Sequence, residues 1–300
     1  MSSEYHNPVL AAESIEALSV KSDGIYIDAT FGGGGHSRLI LDRLGKAGRL
    51  YGFDQDADAL RNVPDDERFT LNPHNFRYLK RFMRYHGVAE ADGILADLGV
   101  SSHQFNEAER GFSFRFDADL DMRMNQKQEK TAAHILNEYS PADLQEVFGK
   151  YGEIRNAKTL AEAVADARRF KNIETISDFA EILGPLVRGK RNQYLAQVYQ
   201  SLRIEVNDEV GALRDFLLQC KEILAPEGKL VVISYHSLED RLVKNLLKTG
   251  NLEGKVIKDD FGKIDRPFKI LTKKPIIPST KEINENSRAR SAKMRVGEKV

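Results

Sequence analysis

The sequence predicts an α/β fold, in which a mostly parallel β-sheet carries an inserted helical segment and ends in antiparallel strands. Three observations lead to this prediction. Residues 24–54 have the pattern of a strand, a glycine-rich turn, a helix, a second strand and an acid. From about residue 105 the strands stop, and helical signals run from 131 to about 204. A last buried strand then precedes two β-prone runs, 268–272 and 292–296, that can form an antiparallel pair.

The opening unit, residues 24–54, is typical of a nucleotide-binding α/β domain. Residues 25–27 are β-prone, and residues 37–44 have the apolar spacing of a helix, for which Gly45 is the predicted C-cap. The glycines between them allow the backbone to pass close to a ligand. The second strand, 49–53, leads into Asp54, which is placed to accept hydrogen bonds from two ribose hydroxyls.

The glycine turn by itself does not identify the ligand. A phosphate-binding Walker A loop requires Gly-Lys-Ser/Thr, whereas this chain has Gly35-His36-Ser37, so that loop is not expected. The spacing Gly32-x-Gly34-x-x-Ser37 nearly matches the dinucleotide fingerprint, which is a weak signal on its own. A glycine turn with only a structural role is the alternative.

Composition bounds the class of protein. The 300 residues include 45 lysines and arginines and 45 aspartates and glutamates, so nucleic-acid binding would depend on local basic patches. The single cysteine, Cys220, lies in the apolar stripe of an amphipathic helix and is predicted to be a core residue. We found no basic-then-apolar leader and no apolar run of about 20 residues, so we expect no membrane span and a cytoplasmic location.

The sheet continues after Asp54 with a short helix at 57–63 and strands at 69–71 and 91–97. The helix predicted at 75–85 is basic on one side and is either a solvated face or an RNA contact. The strand at 91–97 ends at Asp97. Since open α/β sheets bind ligands at the carboxyl ends of their strands, Asp97 should lie near the ligand held by Gly34 and Asp54.

Residues 107–206 are predicted to be an inserted, mainly helical domain, with 1–106 and 207–300 forming the α/β domain. The loop at 105–130 contains Asp117-x-Asp119-x-Asp121, but Met122 and Gln128 stand where a calcium loop needs Gly and Glu, so calcium binding is not predicted. Two basic clusters, 168–171 and 188–191, lie between the helices. The seven histidines show no metal-ligand spacing, and no catalytic metal is predicted.

The order of elements after the insertion favours a methyltransferase. A dehydrogenase would continue the parallel alternation of strands and helices, whereas this chain has a Pro-Glu-Gly turn at 226–228, a strand, a helix and a terminal hairpin. That layout is the class I (Rossmann-like) fold of S-adenosylmethionine-dependent methyltransferases, in which the glycine turn passes the methionine part of the cofactor and Asp54 holds its ribose.

Eight motifs then resemble one family over essentially the whole chain. They are His6-x-Pro8-Val-Leu, Asp28-Ala-Thr-Phe-Gly-x-Gly-Gly-His36-Ser, Asp97-Leu-Gly-Val-Ser-Ser-x-Gln104, Glu109-Arg-Gly-Phe-Ser-Phe, Asp119-Leu-Asp-Met-Arg-Met124, Leu202-Arg-Ile-Glu-Val-Asn-Asp-Glu209, Ser234-Tyr-His-Ser-Leu-Glu-Asp-Arg241 and Asn286-x-Arg-Ala-Arg-Ser291. The chain therefore resembles the RsmH/MraW family of small-subunit ribosomal RNA cytosine-N4 methyltransferases.

The resemblance implies N4-methylation of a cytidine in the decoding region of 16S ribosomal RNA, with S-adenosylmethionine as cofactor and the small ribosomal subunit as partner. The inserted domain would take part in RNA recognition, and the oligomeric state, monomer or homodimer, stays open. Carried over by motif position, the cofactor-binding residues would be Gly34, Gly35, His36, Asp54, Phe76, Asp97 and Gln104. The substrate-binding residues would be Tyr235, His236, Ser237, Arg288 and Arg290. Together with the basic clusters 168–171 and 188–191, Arg288 and Arg290 form the predicted RNA footprint.

Asp97 is the candidate catalytic residue. The lone pair of the cytosine N4 amine is delocalised into the ring, and an acceptor that takes hydrogen bonds from the amine favours attack on the methyl group. Asp97 stands where amino-methyltransferases often place such an acceptor; it is a cofactor ligand, an amine acceptor or both. Phe112, Phe114 or Tyr235 could receive the unstacked base, and ordinary packing is the alternative for the phenylalanines. Tyr235 stands where phenylalanine is more usual in this family.

Two other classes of function remain. One is a methyltransferase acting on a protein or a small molecule. The other is an inactive methyltransferase-like module that binds RNA or assists ribosome assembly. The intact glycine turn, Asp54 and Asp97 argue against loss of catalysis.

Overall fold

The computed structural model describes residues 8–258, 262 and 266–300, except for the side chains of Ser102 and Asn106. The chain divides into two compact units, Met1–Gly99 with Val210–Val300, and Val100–Glu209. The second unit thus runs from residue 100 to residue 209, whereas the sequence-based division predicted boundaries at 107 and 206. His6 lies outside the described residues.

A seven-stranded sheet forms the first unit, with the strand order β3-β2-β1-β4-β5-β7-β6. β7 pairs antiparallel with both β5 and β6, and the other neighbouring pairs are parallel. The predicted terminal antiparallel pair is therefore confirmed. The strands are β1 Ile25–Asp28, β2 Arg49–Phe53, β3 Phe69–Asn72, β4 Ala91–Asp97, β5 Leu224–Ser234, β6 Phe268–Ile270 and β7 Lys293–Lys299.

The register of the parallel strands sets the level of the candidate site. Asp28, the last residue of β1, pairs with Gly52 of β2 and with Leu95 of β4. Two residues further along each chain segment stand Thr30, Asp54 and Asp97. Because side chains alternate between the faces of a strand, pairs two residues apart stay in step, and Asp54 and Asp97 emerge at the same level beside the glycine turn.

Helices cover both faces of this sheet. The α-helices in the described part of both units are α1 Ala11–Leu18, α2 Gly35–Leu41, α3 Leu79–Tyr85, α4 Ser102–Asn106, α5 Ala132–Glu138, α6 Pro141–Gly152, α7 Ala157–Ala167, α8 Ile176–Leu183, α9 Arg191–Asn207, α10 Glu209–Ile223, α11 Ser237–Thr249 and α12 Thr280–Glu285. Residues of α3, α10 and α11 share one apolar cluster with one face of the sheet, while α1 and α2 pack on the other. Cys220 is fully buried in α10, which confirms its prediction as a core residue. Among the described residues, no helix combines the length and apolar character that crossing a membrane requires.

The second unit is a helical body with its own core, which includes side chains from α5 to α9. Ser140 caps α6 by accepting a hydrogen bond from the Asp143 amide, with Pro141 at the first helical position as predicted. At the end of α9, the Asn207 amide side chain donates to the Met122 carbonyl and accepts from the Met124 amide. This buried side chain holds the irregular segment that precedes α5.

Two local predictions need correction. α2 ends at Leu41 with Asp42 as its C-cap, so Gly45 is not the cap. The Gly45 amide instead donates to the Ser22 carbonyl at 2.6 Å, a contact that sequence periodicity does not reveal. The short helix predicted at 57–63 is a 3₁₀-helix, Ala57–Asn62, which Asp56 caps through the Asp58 amide.

Gly111 offers a test of the second unit's architecture. Its φ is +68°, and a Cβ there would overlap the carbonyl oxygen of Asp119. We expect Gly111→Ala to destabilise the protein by about 3 kcal/mol, combining left-handed strain of about 1 kcal/mol with an overlap that rigid backbone cannot relieve. Urea unfolding followed by circular dichroism measures this, since the chain has no tryptophan.

Gly189 supplies the matched control. Its φ is +73°, and a Cβ on this glycine would have no described atom within 4 Å. Gly189→Ala should therefore show only the left-handed strain, about 1 kcal/mol. Equal losses of stability in the two variants would contradict the close approach of Gly111 to the 119–121 backbone.

Candidate active site

The glycine turn lies between β1 and α2 and is shaped by close packing. Gly34, at the N-terminus of α2, has a φ of +74°, and a Cβ at this position would lie 2.9 Å from the Phe31 ring. A Cβ on Gly35 would meet the Pro8 ring at 3.1 Å. Any larger residue at Gly34 would meet both backbone strain and a buried aromatic ring. The turn is therefore built for close approach of the backbone.

Asp54 joins the glycine turn to the end of β2. One carboxylate oxygen accepts the Gly32 amide and the other accepts the Asp56 amide, each at 2.8 Å. Burial raises the pKa of Asp54 to about 6, with the two amide hydrogen bonds opposing the shift. Each carboxylate oxygen can accept a further hydrogen bond, so Asp54 retains the capacity to bind a pair of hydroxyls.

Asp97, at the end of β4, is held by three neighbours. Its amide donates to the Thr30 hydroxyl at 2.6 Å, and its Oδ1 accepts the Tyr235 hydroxyl at 2.8 Å. Its Oδ2 lies 3.9 Å from Nδ1 of His36. Burial raises the pKa of Asp97 to about 6, while His36 and the Tyr235 hydrogen bond oppose that shift. The carboxylate keeps partial access to solvent, with 22% of its side chain exposed.

His36 is almost fully buried at the start of α2. Its Nε2 lies 3.1 Å from the Val9 carbonyl, which can only accept, so Nε2 carries the proton of the neutral ring. Nδ1 then faces Asp97, and protonation of this nitrogen gives the ring the positive charge that lowers the pKa of Asp97. Burial lowers the pKa of His36, and Asp97 opposes the shift. The histidine thus fixes the turn against the residues that precede α1.

Asp28 and Thr30 belong to this cluster, although sequence reasoning did not predict them as site residues. The buried Asp28 carboxylate accepts the Ser37 hydroxyl at 2.7 Å and the Thr30 amide at 3.1 Å. Burial raises the pKa of Asp28 to about 6. An acid at the end of a buried strand, directly before a glycine turn, was the available signal. Asp28, Asp54 and Asp97 together make this edge of the sheet a buried, acceptor-rich site.

Phe76 belongs to a turn that is held near the end of β2. The Asn75 side chain donates to the Gln55 side chain at 3.0 Å, which ties this turn to the residue after Asp54. The Phe76 ring is half-buried and packs edge-on against Phe216, with ring centroids 5.1 Å apart. One part of the ring is therefore held by the core while another stays accessible.

Residues 235–239, which follow β5, belong to the same edge of the sheet as Asp97. His236 is almost buried, and its Nε2 lies 3.0 Å from Oε1 of Glu239. Oε2 of Glu239 accepts the Tyr235 amide at 3.0 Å. Ser237 begins α11 and is exposed. Glu239 thereby fixes both the backbone of Tyr235 and the ring of His236.

The predicted basic RNA footprint is uneven. Arg288 is half-buried and Arg290 is exposed, both within the 3₁₀-helix Ser287–Ser291. In the second unit, the cations of cluster 168–171 contact protein groups: Arg168 the Leu136 carbonyl, Arg169 Asp166 and Lys171 Asp178. Cluster 188–191 is exposed and forms no ion pair with any described residue. Its charges are the more available ones.

Gln104 and two of the aromatic candidates lie in the second unit. Gln104 completes a capping box with Ser101 at the start of α4, accepting the Ser101 amide at 3.0 Å. Phe112 packs in the core of that unit, and the half-buried Phe114 contacts Tyr199, with centroids 5.5 Å apart. Packing thus accounts for Phe112 and for part of the Phe114 ring.

Sequence comparison identifies the family. The model of the MraW methylase family matches residues 3–300. The chain belongs to this family. A curated relative from Parabacteroides distasonis, named ribosomal RNA small subunit methyltransferase H, is 57% identical over 99% of this chain and 98% of its own length. A relative of the same name from Christiangramia forsetii is 56% identical over the same shares of both chains.

Similarity to solved structures is more distant. A putative rRNA methylase from Clostridium thermocellum aligns with 99% of this chain and 100% of its own, at 12% identity and a TM-score of 0.46. The family assignment does not depend on it.

S-adenosylmethionine is the cofactor of this methyltransferase. The residues at the sheet edge fit it. The turn at Gly34 and Gly35 has no side chain that would block a ligand, and Asp54 has acceptor capacity for two ribose hydroxyls. Asp28 and Asp97 add negative charge, which attracts the positively charged sulfonium. A site of buried carboxylates suits a cationic cofactor.

The raised pKa values predict how cofactor affinity depends on pH. Burial raises the pKa of both Asp28 and Asp97 to about 6. A cation binds better to the ionised form, so affinity for S-adenosylmethionine should be full above that pH and fall below it, by up to about tenfold per pH unit for one titrating group. Isothermal titration calorimetry between pH 5 and 8 measures this.

S-adenosylhomocysteine is the matched ligand, because it lacks the sulfonium charge. Its affinity should change less over the same pH range. A constant ratio of the two affinities from pH 5 to 8 would contradict a role for these carboxylates in holding the sulfonium.

Asp54→Asn tests the ribose contact directly. The amide keeps one acceptor oxygen and loses the charge, so we expect affinity for S-adenosylhomocysteine to fall about tenfold or more, in line with 1.5–3 kcal/mol for a hydrogen bond to a charged group. Asp58→Asn is the control, because Asp58 lies in the following turn and pairs with Arg61. Equal affinity of Asp54→Asn and wild type would exclude Asp54 as the ribose acceptor.

Proposed function

We propose that this protein transfers a methyl group from S-adenosylmethionine to the exocyclic N4 amine of one cytidine in the decoding region of 16S ribosomal RNA. The observation that carries the proposal is the placement of Asp97 beside the glycine turn, with one oxygen held by Tyr235. The full-length relatives named ribosomal RNA small subunit methyltransferase H support the choice of RNA. The motifs shared with the cytosine-N4 methyltransferases support the choice of atom.

Different residues are proposed to bind different parts of the cofactor. Gly34, Gly35 and His36 form the surface on which the methionine part rests, Asp54 accepts the ribose hydroxyls, and Phe76 offers a partly exposed ring for an adenine base. Gln104 is proposed as a further cofactor contact, as its motif position implies. When bound, S-adenosylmethionine supplies the methyl group for transfer.

Asp97 acts on the amine. Oδ1 is engaged by Tyr235, so Oδ2 is the oxygen that accepts a hydrogen bond from the N4 amine. That bond favours a pyramidal nitrogen with its lone pair directed at the methyl group, and the carboxylate stabilises the positive charge that develops on nitrogen. A pKa of about 6 leaves Asp97 ionised at neutral pH and able to hold the departing proton.

RNA recognition rests on local charge, because the chain as a whole is neutral. Tyr235, His236 and Ser237 line the end of β5, next to Asp97, and are the proposed contacts to the target nucleotide. Arg290 and cluster 188–191 are exposed cations suited to phosphate contacts. Phe170 is 91% exposed within cluster 168–171 and offers a ring on which a base can stack.

The deciding experiment uses small ribosomal subunits from cells that lack this protein. The subunits are incubated with protein and labelled S-adenosylmethionine, and the RNA is digested to nucleosides. The proposal predicts N4-methylcytidine at a single position. Label at another base or atom would refute the assignment of the N4 amine. Label in protein or small molecules and none in RNA would favour the first alternative function.

An inactive assembly factor is the second alternative. It would bind small subunits without transferring label to any fraction, whatever the cofactor concentration. If the wild-type protein transfers label, Asp97→Asn should lose most of that transfer. The variant should still bind S-adenosylhomocysteine within about tenfold of wild type, which would show that it is folded.

Charge reversal tests the RNA footprint. We expect Arg288→Glu with Arg290→Glu to weaken RNA binding and to reduce its salt dependence, because each phosphate that is no longer neutralised lowers the slope by about 1. S-adenosylmethionine binding should stay intact. Filter binding at several salt concentrations measures RNA affinity and its salt dependence, and calorimetry measures cofactor binding.

Arg214→Glu is the matched control, because Arg214 pairs with Glu253 and lies outside the predicted RNA footprint. It should affect RNA binding less than reversal of Arg290. Equal loss of RNA and cofactor binding in the Arg288/Arg290 variant would show that these residues stabilise the fold instead.

A further inference from the structure

We propose that the Tyr235 hydroxyl is a positioning group for Asp97, which fixes one carboxylate oxygen so that the other faces the amine. This inference rests on the proposed function of Asp97. It assigns to Tyr235 a role that an aromatic ring alone, stacking on a base, does not have.

The geometry supports one specific contact. The Tyr235 hydroxyl donates to Oδ1 of Asp97 at 2.8 Å across the β4–β5 pair. Asp97 aligns with Ile233 in that pair, so Tyr235 lies two residues beyond the aligned position and must reach back. A charge-assisted hydrogen bond of this length restricts rotation of the carboxylate about its terminal bond.

Tyr235 is itself held in place. Glu239 accepts its amide at 3.0 Å, which fixes the backbone where β5 turns into α11. A Cβ on Gly99, whose φ is +105°, would lie 3.6 Å from the Tyr235 ring, so the ring runs alongside this glycine. The ring also packs against the apolar cluster on the α1 and α2 face of the sheet. The hydroxyl therefore approaches Asp97 from a fixed direction.

Several charged groups around Asp97 also shift its pKa, and the Tyr235 hydrogen bond acts together with them. His36, from α2, lowers the pKa of Asp97, whereas Asp28 from β1 and Glu239 from α11 raise it. The Tyr235 hydrogen bond lowers it as well, because the hydroxyl donates to the ionised form. In return, burial and the Asp97 charge raise the pKa of Tyr235, which keeps the hydroxyl protonated as a donor. Removing the hydroxyl should therefore raise the pKa of Asp97.

Tyr235→Phe is the test, since it keeps the ring and removes only the hydroxyl. We expect kcat for methyl transfer to fall about tenfold, the size of one hydrogen bond to a charged group. The KM for S-adenosylmethionine should change less than about twofold, because the hydroxyl bonds to Asp97 and not to the cofactor. The acidic limb of the pH profile of kcat should move to higher pH.

Two comparisons separate positioning from a structural role. Tyr26→Phe removes another buried hydroxyl of the same unit, one that accepts the Lys21 amide, and should leave the pH profile unchanged. In an Asp97→Asn background, Tyr235→Phe should have little further effect on kcat, because the carboxylate it positions is gone. Independent, multiplying losses, or a Tyr235→Phe variant with wild-type kcat and pH profile, would overturn the inference.

A carboxyl ¹³C NMR titration distinguishes this inference from the proposed function. The Asp97 resonance, assigned by its loss in Asp97→Asn, should titrate at higher pH in Tyr235→Phe than in wild type. This readout needs no substrate. An unchanged Asp97 titration would refute the positioning role even if methylation occurs, and a shifted titration in a protein that methylates no RNA would refute only the proposed function.

Discussion

The structure depends on the register of three parallel strands that brings like-charged carboxylates together at one edge of the sheet. Asp28, at the end of β1, aligns with residues two positions before Asp54 and Asp97. Burial raises the pKa of each carboxyl group to about 6, so gathering them costs folding free energy at neutral pH. Hydrogen bonds to these carboxylates offset part of that cost; their donors include the Gly32 amide and the Tyr235 hydroxyl. Such a site is stabilised further by a cationic ligand, and S-adenosylmethionine is one.

The rest of the first unit keeps this edge rigid. The two helical layers bury both faces of the sheet, so the strand ends have little freedom to move apart. The glycine turn is attached to β2 by Asp54 and to the residues before α1 by His36. Tyr235 then connects the end of β5 to β4. Preorganised acceptors of this kind act on a developing charge without having to reorganise during the reaction.

Much of the fold could be predicted from the sequence, and the failures have local causes. β2 and β4 were found at their observed bounds because buried strands appear in the sequence as short, β-prone apolar runs. The end of α2 was missed because the Gly45 amide bonds to Ser22, a tertiary contact. Asp54 and Asp97 were identifiable as acids at strand ends. Asp28 was not selected, although it is also an acid at a strand end; its hydrogen bonds to Ser37 and Thr30 appear only in three dimensions. The Tyr235 contact joins residues 138 positions apart and needed the strand order.

In the proposed function, Asp54 accepts hydrogen bonds from the cofactor ribose and Asp97 accepts a hydrogen bond from the cytosine amine. A crystal structure with S-adenosylhomocysteine and a cytidine oligonucleotide tests it most directly, through the distances from each carboxylate to the bound molecules. We predict ribose hydroxyls on Asp54 and the cytosine N4 nitrogen on Oδ2 of Asp97, both within about 3 Å. A cytosine amine that faces another acceptor, with Asp97 bound only to the cofactor, would contradict this claim.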